Sequence, residues 1–284
     1  MGKILVTGAT GNIGRYVVNE LVQKGESVIA GVINKDQAQD VLNHVCEIQE
    51  FDFLNAETFL KALQGVDRIF LMRPPALANP KADMLPFLAA AKKAGVTKIC
   101  FVSLVGVEKN PMVPHRKIEE MIKELDFNYV FLRPSFFMQN LNTTHVTEIK
   151  ERHELFIPVG KALTSFIDTR DIALAASIVL CDETRINQTF TLTGSQAISY
   201  EEVATILSRV LNRQITYKNP SLLAFRKEQL RRGTKKEFAN VMTMLYLMTK
   251  LGTAKLVTDE LENLIQRKPI TFEQYAKDHQ QYWQ

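Results

Sequence analysis

Near its start the chain sets Gly8, Gly11 and Gly14 at the spacing GxxGxxG, between the apolar run Ile4-Leu5-Val6 and a helix-period segment that begins near Ile13. A strand that runs into a glycine-rich turn and leaves as a helix lets the backbone approach an anion closely, with the first helical amides facing its charge. Such a turn belongs to βαβ units, so it restricts the fold to α/β architectures with a parallel sheet. Gly8, Thr10, Gly11, Asn12, Ile13, Gly14 and Arg15 are therefore the first binding candidates, and the ligand they suit is the pyrophosphate of a dinucleotide.

The rest of the first half agrees. β-Branched and apolar runs at Lys3 to Thr7, Ser27 to Val32, Cys46 to Phe51, Arg68 to Met72, Ile99 to Ser103 and Tyr129 to Leu132 alternate with amphipathic segments at Ile13 to Lys24, Ala56 to Leu63, Ala82 to Ala94 and His115 to Leu125. This alternation predicts an α/β fold with a Rossmann-type, doubly wound parallel sheet. After Pro134 the pattern loosens. Short strands are expected around Leu155 to Pro158, Ser165 to Ile167 and Thr189 to Thr193, with one helix from Asp171 to Leu180. The expected division is a dinucleotide-binding domain over residues 1–154, to which segments at about 165–194 return, and a smaller, mainly helical C-terminal lobe over 195–284 for substrate or partner.

Composition excludes several classes. A 284-residue chain with 46% hydrophobic and 23% charged residues is an ordinary globular protein, and a net charge of +4 is too small to call for nucleic acid. Cys46, Cys100 and Cys181 are scattered singly, and His44, His145, His153 and His279 are isolated, so neither a disulfide framework nor a metal site is expected. The strand pattern begins at once, leaving no room for a signal peptide, and no apolar run approaches the roughly 18–20 residues of a membrane span. The reading is a cytoplasmic protein, monomer or homodimer, without a nucleic-acid or membrane partner.

Choice of nicotinamide cofactor is made at the end of the second strand, where an acid binds a ribose 2′-hydroxyl and a cation accepts a 2′-phosphate. Here the strand end reads Val32-Ile33-Asn34-Lys35-Asp36. The acid is displaced from the strand end, and Asn34, Lys35 and Arg15 are the groups available to a phosphate, so NADP(H) is favoured over NAD(H). The bland alternative makes Lys35 a solvated charge at a helix start and Asp36 a cap. Asp52 and Phe53, after the third strand, are candidates for the adenine end.

Six stretches carry a resemblance: VTGATGNIG at the start, IFLMRPP at Ile69 to Pro75, ICFVSLVGVE, PHRKIEEMI, LRPSFFMQNL at Leu132 to Leu141 and FIDTRDIA at Phe166 to Ala173. Together these resemble the atypical short-chain dehydrogenase/reductases of the NmrA-like branch, over roughly the first two thirds of the chain. The resemblance implies that Leu71, Met72, Arg73, Ser103, Pro134, Ser135 and Phe136 line the nicotinamide end. Ordinary members of the superfamily pass a proton through a serine and a YxxxK tyrosine, whose pKa the lysine lowers. Counting back from Leu132-Arg133-Pro134, the lysine position holds His115 and the tyrosine position falls at or near Pro111. The proton-transfer tyrosine is missing. His115 with Glu119 four residues on resembles a pair found in NmrA-like quinone reductases and sensors, and these two with Ser103 are the catalytic candidates. The bland reading is an ordinary i,i+4 pair.

Asp168 and Asp171 are read as helix caps, and the methionine-rich segment Val241 to Met248 as core packing, with the floor of an apolar pocket as its functional alternative. Three functions compete. The first is hydride transfer from NADPH to a small apolar or aromatic acceptor such as a quinone. A second is a non-catalytic NADP(H) redox sensor that reports to a protein partner. The third, a sugar-nucleotide epimerase, needs the missing tyrosine. A docking surface would mark the sensor, and the basic cluster Arg226, Lys227, Arg231, Arg232, Lys235 and Lys236 is the sequence's one suggestion of it.

Overall fold

The structure is a computed structural model that describes residues 2–42 and 45–284, so His44 lies outside the described residues. Two compact units emerge. The first comprises Met1–Pro134, Thr169–Leu192 and Asn263–Gln266; the second comprises Ser135–Asp168, Thr193–Glu262 and Arg267–Gln284. Residues 135–154, read above with the dinucleotide-binding domain, group with the second unit.

The first unit is a seven-stranded parallel sheet. Its strands are β1 (Lys3–Thr7), β2 (Val28–Val32), β3 (Glu47–Glu50), β4 (Val66–Leu71), β5 (Lys98–Val102), β6 (Asn128–Pro134) and, after β7 (Phe136–Phe137), β8 (Glu154–Phe156) and β9 (Leu163–Ile167) of the other unit, β10 (Gln188–Leu192). The order is β10-β6-β5-β4-β1-β2-β3. β2 and β5 are buried along their whole length, as strands with helices on both faces must be, whereas edge strand β3 is not. Around them lie α1 (Gly14–Gln23), α2 (Lys35–Leu42), α3 (Phe59–Ala62), α4 (Pro80–Asp83), α5 (Leu85–Lys93), α6 (Pro114–Glu124) and, beyond α7 (Val146–Glu151), α8 (Thr169–Cys181). The winding reverses between β1 and β4. In a doubly wound sheet that reversal opens a crevice at the strand C-termini, where ligands bind.

Two cations in these apolar strands have a structural task. Arg68 on β4 donates to Leu180 O and pairs with Glu26, and Lys98 on β5 donates to Val179 O and Asp182 O. The last carbonyls of α8 have no partners within the helix, and the helix dipole makes that end negative, so buried cations satisfy both needs.

In the second unit β9 pairs with β7 in parallel and with β11 (Ala197–Ser199) antiparallel, while β8 pairs in parallel with β12 (Thr216–Lys218). Its remaining helices are α9 (Tyr200–Leu211), α10 (Leu222–Arg231), α11 (Lys236–Lys250), α12 (Glu260–Ile265), which runs into the first unit's short segment, and α13 (Phe272–Asp278). Ser199 and Glu202 form a reciprocal capping box that starts α9. The core holds Phe225, Tyr275 and Trp283, all fully buried.

Inside this unit His145, expected to be isolated, is held on both sides. Its Nδ1 lies 2.8 Å from Glu148 and its Nε2 2.7 Å from the Tyr246 hydroxyl. A carboxylate only accepts, so in the neutral ring Nδ1 carries the proton and Tyr246 donates to Nε2. Arg232 pairs with the far side of Glu148 and with Glu228. The basic cluster is therefore partly internal: Arg232 and Arg231 are tied to Glu228 and Arg226 to Asn240. The expectation of core packing for Val241 to Met248 needs correction too, since Met242 and Tyr246 are buried but Val241, Met244, Leu245 and Met248 are exposed.

Candidate functional site

The glycine loop lies at the switch point of the first unit. Gly8 leaves β1 with φ at +62°, a left-handed conformation that only glycine adopts without strain, and a Cβ there would touch Met72 beyond the end of β4. Gly11 donates to Gly8 O at 3.0 Å and closes the turn. Gly14 lies so close to Gly8 that a Cβ would come within 2.2 Å of the Gly8 carbonyl oxygen. The three glycines thus act differently: the first turns the chain, the second stands exposed at the loop surface, and the third lets α1 pack against the loop.

No side chain caps α1 and no acid sits in its first turn, so its positive end faces outward uncompensated. Thr10 and Asn12 line the approach, while the Ile13 side chain is buried in the core and offers the ligand only its backbone. Thr7 ties the crevice together by donating to Phe70 O and accepting from Met72 N.

At the β2 end Ile33, Asn34, Lys35 and Asp36 are all exposed. Asn34, not Asp36, caps α2: its Oδ1 accepts from the amides of Asp36 and Gln37 at 3.0 and 3.1 Å. Arg15 lies over the Tyr16 ring at 4.8 Å and donates to its hydroxyl, and its Nε is buried without a partner among the described residues. Asp52 holds a turn by accepting from Leu54 N. The Phe53 ring packs edge-on against Phe51 and Phe87, so its side chain belongs to the core and does not offer a ligand surface. Leu71 is likewise fully buried.

The strand ends beyond β4, β5 and β6 gather the remaining candidates. Arg73 donates through Nη1 to the carbonyls of Pro74, Pro75 and Leu77, at 3.1, 3.2 and 2.7 Å, which folds the segment after β4 around its guanidinium. Ser103, just past β5, is 4% exposed and its hydroxyl has no partner among the described residues. A buried hydroxyl left unpaired in the folded protein is costly unless another molecule completes it. Pro134 ends β6 and accepts from Val105 N. Ser135 and Phe136 belong to the second unit, where the Ser135 hydroxyl is also buried and unpartnered among the described residues.

His115 is the second residue of α6, after Pro114, and its ring stacks on Phe101 with 5.9 Å between centroids. Burial, and then the nearby Arg73 charge, push its pKa down to about 3. The imidazole is neutral at neutral pH. The expected His115–Glu119 pair does not form: Arg133 takes the Glu119 carboxylate with both Nε and Nη2, at 3.0 and 2.7 Å, and also reaches Glu108. Glu119 therefore holds α6 to β6 and does not orient the His115 ring, which rests on Phe101 instead. α6 contains no tyrosine, and Pro111 is exposed in the turn before it.

A pH dependence follows from His115. Above about pH 6.5 its imidazole is neutral folded and unfolded, and contributes no pH dependence. As pH falls below that value the unfolded chain takes up a proton that the folded site refuses until about pH 3, so stability is lost across that window. With allowance for partial solvent screening, His115→Gln should remove about 1–2 kcal/mol of this acid destabilisation between pH 6.5 and 4. Urea denaturation at several pH values measures it, and parallel pH dependences for the two proteins would exclude the effect.

Comparisons with known proteins accord with this geometry. The NmrA-like family model matches residues 1–276. An NAD(P)H azoreductase of Xenophilus azovorans is 31% identical over 284 residues, 97% of each chain. The Prestalk A differentiation protein A of Dictyostelium discoideum is 30% identical over 280 residues, 97% of this chain and 91% of its own length. Among solved structures, the Citrobacter sp. triphenylmethane reductase complexed with NADP(H) superposes with a TM-score of 0.87 at 25% identity, covering 98% of this chain and 100% of that one.

Proposed function

This chain belongs to the NmrA-like family, and from that premise we propose that it binds NADP(H) at the Gly8–Gly14 loop and passes hydride from NADPH to a flat, electron-poor acceptor. The observation that carries the reading is the uncapped start of α1, opened by an exposed glycine turn at the switch point of the sheet. That cradle fits a pyrophosphate, and the unpartnered Ser103 hydroxyl fits a polar group lying across the β5 end. The triphenylmethane reductase was solved with NADP(H), and the azoreductase is named for NAD(P)H, which supports the same cofactor class here.

The roles follow from the chemistry of the groups. Backbone amides of Gly8, Thr10, Asn12, Ile13 and Gly14 hold the pyrophosphate over the exposed Gly11, whose own N–H closes the turn on Gly8 O; Arg15 and Lys35 take the 2′-phosphate, and Asn34 fixes the α2 start beside it. Asp52 serves the adenine end. Met72, Arg73, Ser103 and Pro134 line the nicotinamide end, with Arg73 holding its loop and Ser103 donating a hydrogen bond. The cofactor supplies hydride when bound. What the chain contributes is position: an acceptor held beside the donor reacts without the entropic cost of encounter. Azo, triphenylmethane and quinone acceptors share a conjugated, electron-poor framework, and none needs a strong protein acid at the moment hydride arrives. A sugar-nucleotide epimerase does need the tyrosine, and α6 lacks it.

Lys35→Ala should weaken NADPH binding roughly ten-fold or more while leaving NADH nearly unchanged, because a charge-assisted phosphate contact contributes about 1.5–3 kcal/mol. Isothermal titration of both nucleotides against both proteins reads this. Equal affinities of the parent protein for NADH and NADPH would sink the NADP(H) preference. Tight NADPH binding with no turnover on any acceptor would move the chain to the redox-sensor reading.

A further inference from the structure

The outward face of α11 is apolar apart from Glu237, which lies on the same arc in the first turn. Phe238, Val241, Met244, Leu245, Met248 and Leu251 lie there, from 42% exposed at Met248 to 69% at Leu251. Placed at 3.6 residues per turn they cover an arc of roughly 140°, while Ala239, Met242, Tyr246 and Thr249 bury the other side in the unit's core. Large apolar side chains grouped in this way mark an interaction surface, whereas scattered ones do not.

The charges around the stripe choose its partner. Lys235 and Lys236 stand at its start and Lys250 and Lys255 at its end, all exposed and without an ion pair among the described residues. Against these four cations the segment 235–255 carries one acid, Glu237. A second copy pairing antiparallel through this face would bring the lysines of one end against those of the other, so like charge opposes self-association. The partner is anionic. A coiled-coil helix buries a narrower seam than this arc, and flexible methionine and leucine side chains adapt to a surface without fixed pockets. A wide apolar arc with lysines at both ends suits a helix that lies in a bilayer interface, its apolar side among the acyl chains and its terminal cations among the phosphates.

We propose that α11 binds the surface of an anionic lipid bilayer, reversibly and without crossing it. The expectation of no membrane partner rested on the lack of a spanning segment, and among the described residues no helix is long and apolar enough to cross a membrane. A helix lying on the surface needs no such length. The proposal does not depend on the cofactor reading, since neither the stripe nor the lysines belong to the glycine loop.

Co-sedimentation of the full chain with phosphatidylglycerol-containing vesicles, and with vesicles of phosphatidylcholine alone, tests it. Binding is expected to the anionic vesicles at low salt and to fall steeply as salt is raised. Replacing Lys235, Lys236 and Lys250 together by alanine should weaken it about ten-fold or more. Leu251→Glu should abolish binding while NADPH affinity, read by calorimetry on the same sample, stays at the parent value. No binding to anionic vesicles by a protein that still binds NADPH would overturn the proposal. So would a concentration-dependent dimer, seen by analytical ultracentrifugation, that Leu251→Glu dissolves, because the face would then belong to a second copy. Capture by an acidic helical peptide with no vesicle binding would overturn it as well.

Discussion

Replacing Gly11 by leucine is expected to weaken NADPH binding at least about a hundred-fold and to leave the protein folded, whereas Gly14→Ala should damage the fold itself. The contrast comes from what each new side chain meets. A Cβ at Gly11 lies 3.2 Å from Gly8 O and has nothing else within 4 Å, and its backbone φ is outside the left-handed region, so the turn tolerates it with a small shift. The remaining leucine atoms extend over the surface where the pyrophosphate is proposed to lie. Losing two charge-assisted amide contacts at about 1.5–3 kcal/mol each removes two or more decades of affinity. At Gly14 the Cβ would stand 2.2 Å from the Gly8 carbonyl oxygen and 2.9 Å from the Ala9 Cα, both rigid backbone. Either α1 moves away from the loop or the loop leaves β1, at a cost of about 1–3 kcal/mol of stability, typical of overpacking. Thermal unfolding and calorimetry on the two variants separate the effects. A folded Gly11→Leu protein with parent affinity would remove the loop from the binding site, and a Gly14→Ala protein of parent stability would refute the packing role.

The glycine loop was legible because everything it needs is contiguous. The strand, the turn and the helix follow one another within a few residues, and β1 runs from Lys3 to Thr7 as its apolar pattern indicates. Strands β7, β11 and β12 are two or three residues long, too short for an alternation to appear in sequence. α2 leaves little helix pattern in sequence because Lys35–Leu42 is polar apart from Ala38, Val41 and Leu42, and only Ala38 and Leu42 are buried. Its cap, Asn34, was instead read for its affinity to phosphate.

Partner choice was the harder part. A helix pattern shows residue i+4 and so points from His115 to Glu119; the folded carboxylate instead meets Arg133, 14 residues on and on a different element. His145 looks isolated in sequence because Tyr246 lies 101 residues away and Glu148 is one of several polar neighbours. The same holds for Arg73, whose charge bears on the His115 imidazole although the two are 42 positions apart in sequence. The sequence names candidate side chains at the strand ends. It could not say which of them were already occupied by one another.

That difference sets the expected chemistry. With NADPH as donor, a simple quinone should be turned over with kcat/KM at least about 10³-fold above that of an unactivated ketone, because a positioned general acid is typically worth 10²–10⁴ and this site offers none near neutral pH. His115, held near a pKa of 3 by burial and by Arg73, is a neutral ring at neutral pH and lacks the imidazolium proton that a general acid poised near neutrality delivers. Ser103 has no base beside it to accept and return a proton, since its hydroxyl is unpartnered among the described residues. A ketone that accepts hydride must be protonated as the carbon–hydrogen bond forms. A quinone becomes a hydroquinone anion that its own ring stabilises, and a triarylmethyl cation becomes neutral, so for both the proton can follow from water or is not required. Two measurements check this. Initial rates of NADPH oxidation across quinones, conjugated dyes and simple ketones should divide along that line, and kcat for the quinone should stay flat from about pH 5 to about pH 8, since His115 stays neutral across that range. A bell-shaped profile with an essential acid near neutrality, lost in His115→Gln, would restore the histidine as a proton donor. Ketone reduction at rates comparable to the quinone would mean that an acid operates in this site, and the tyrosine-free mechanism would have to be given up.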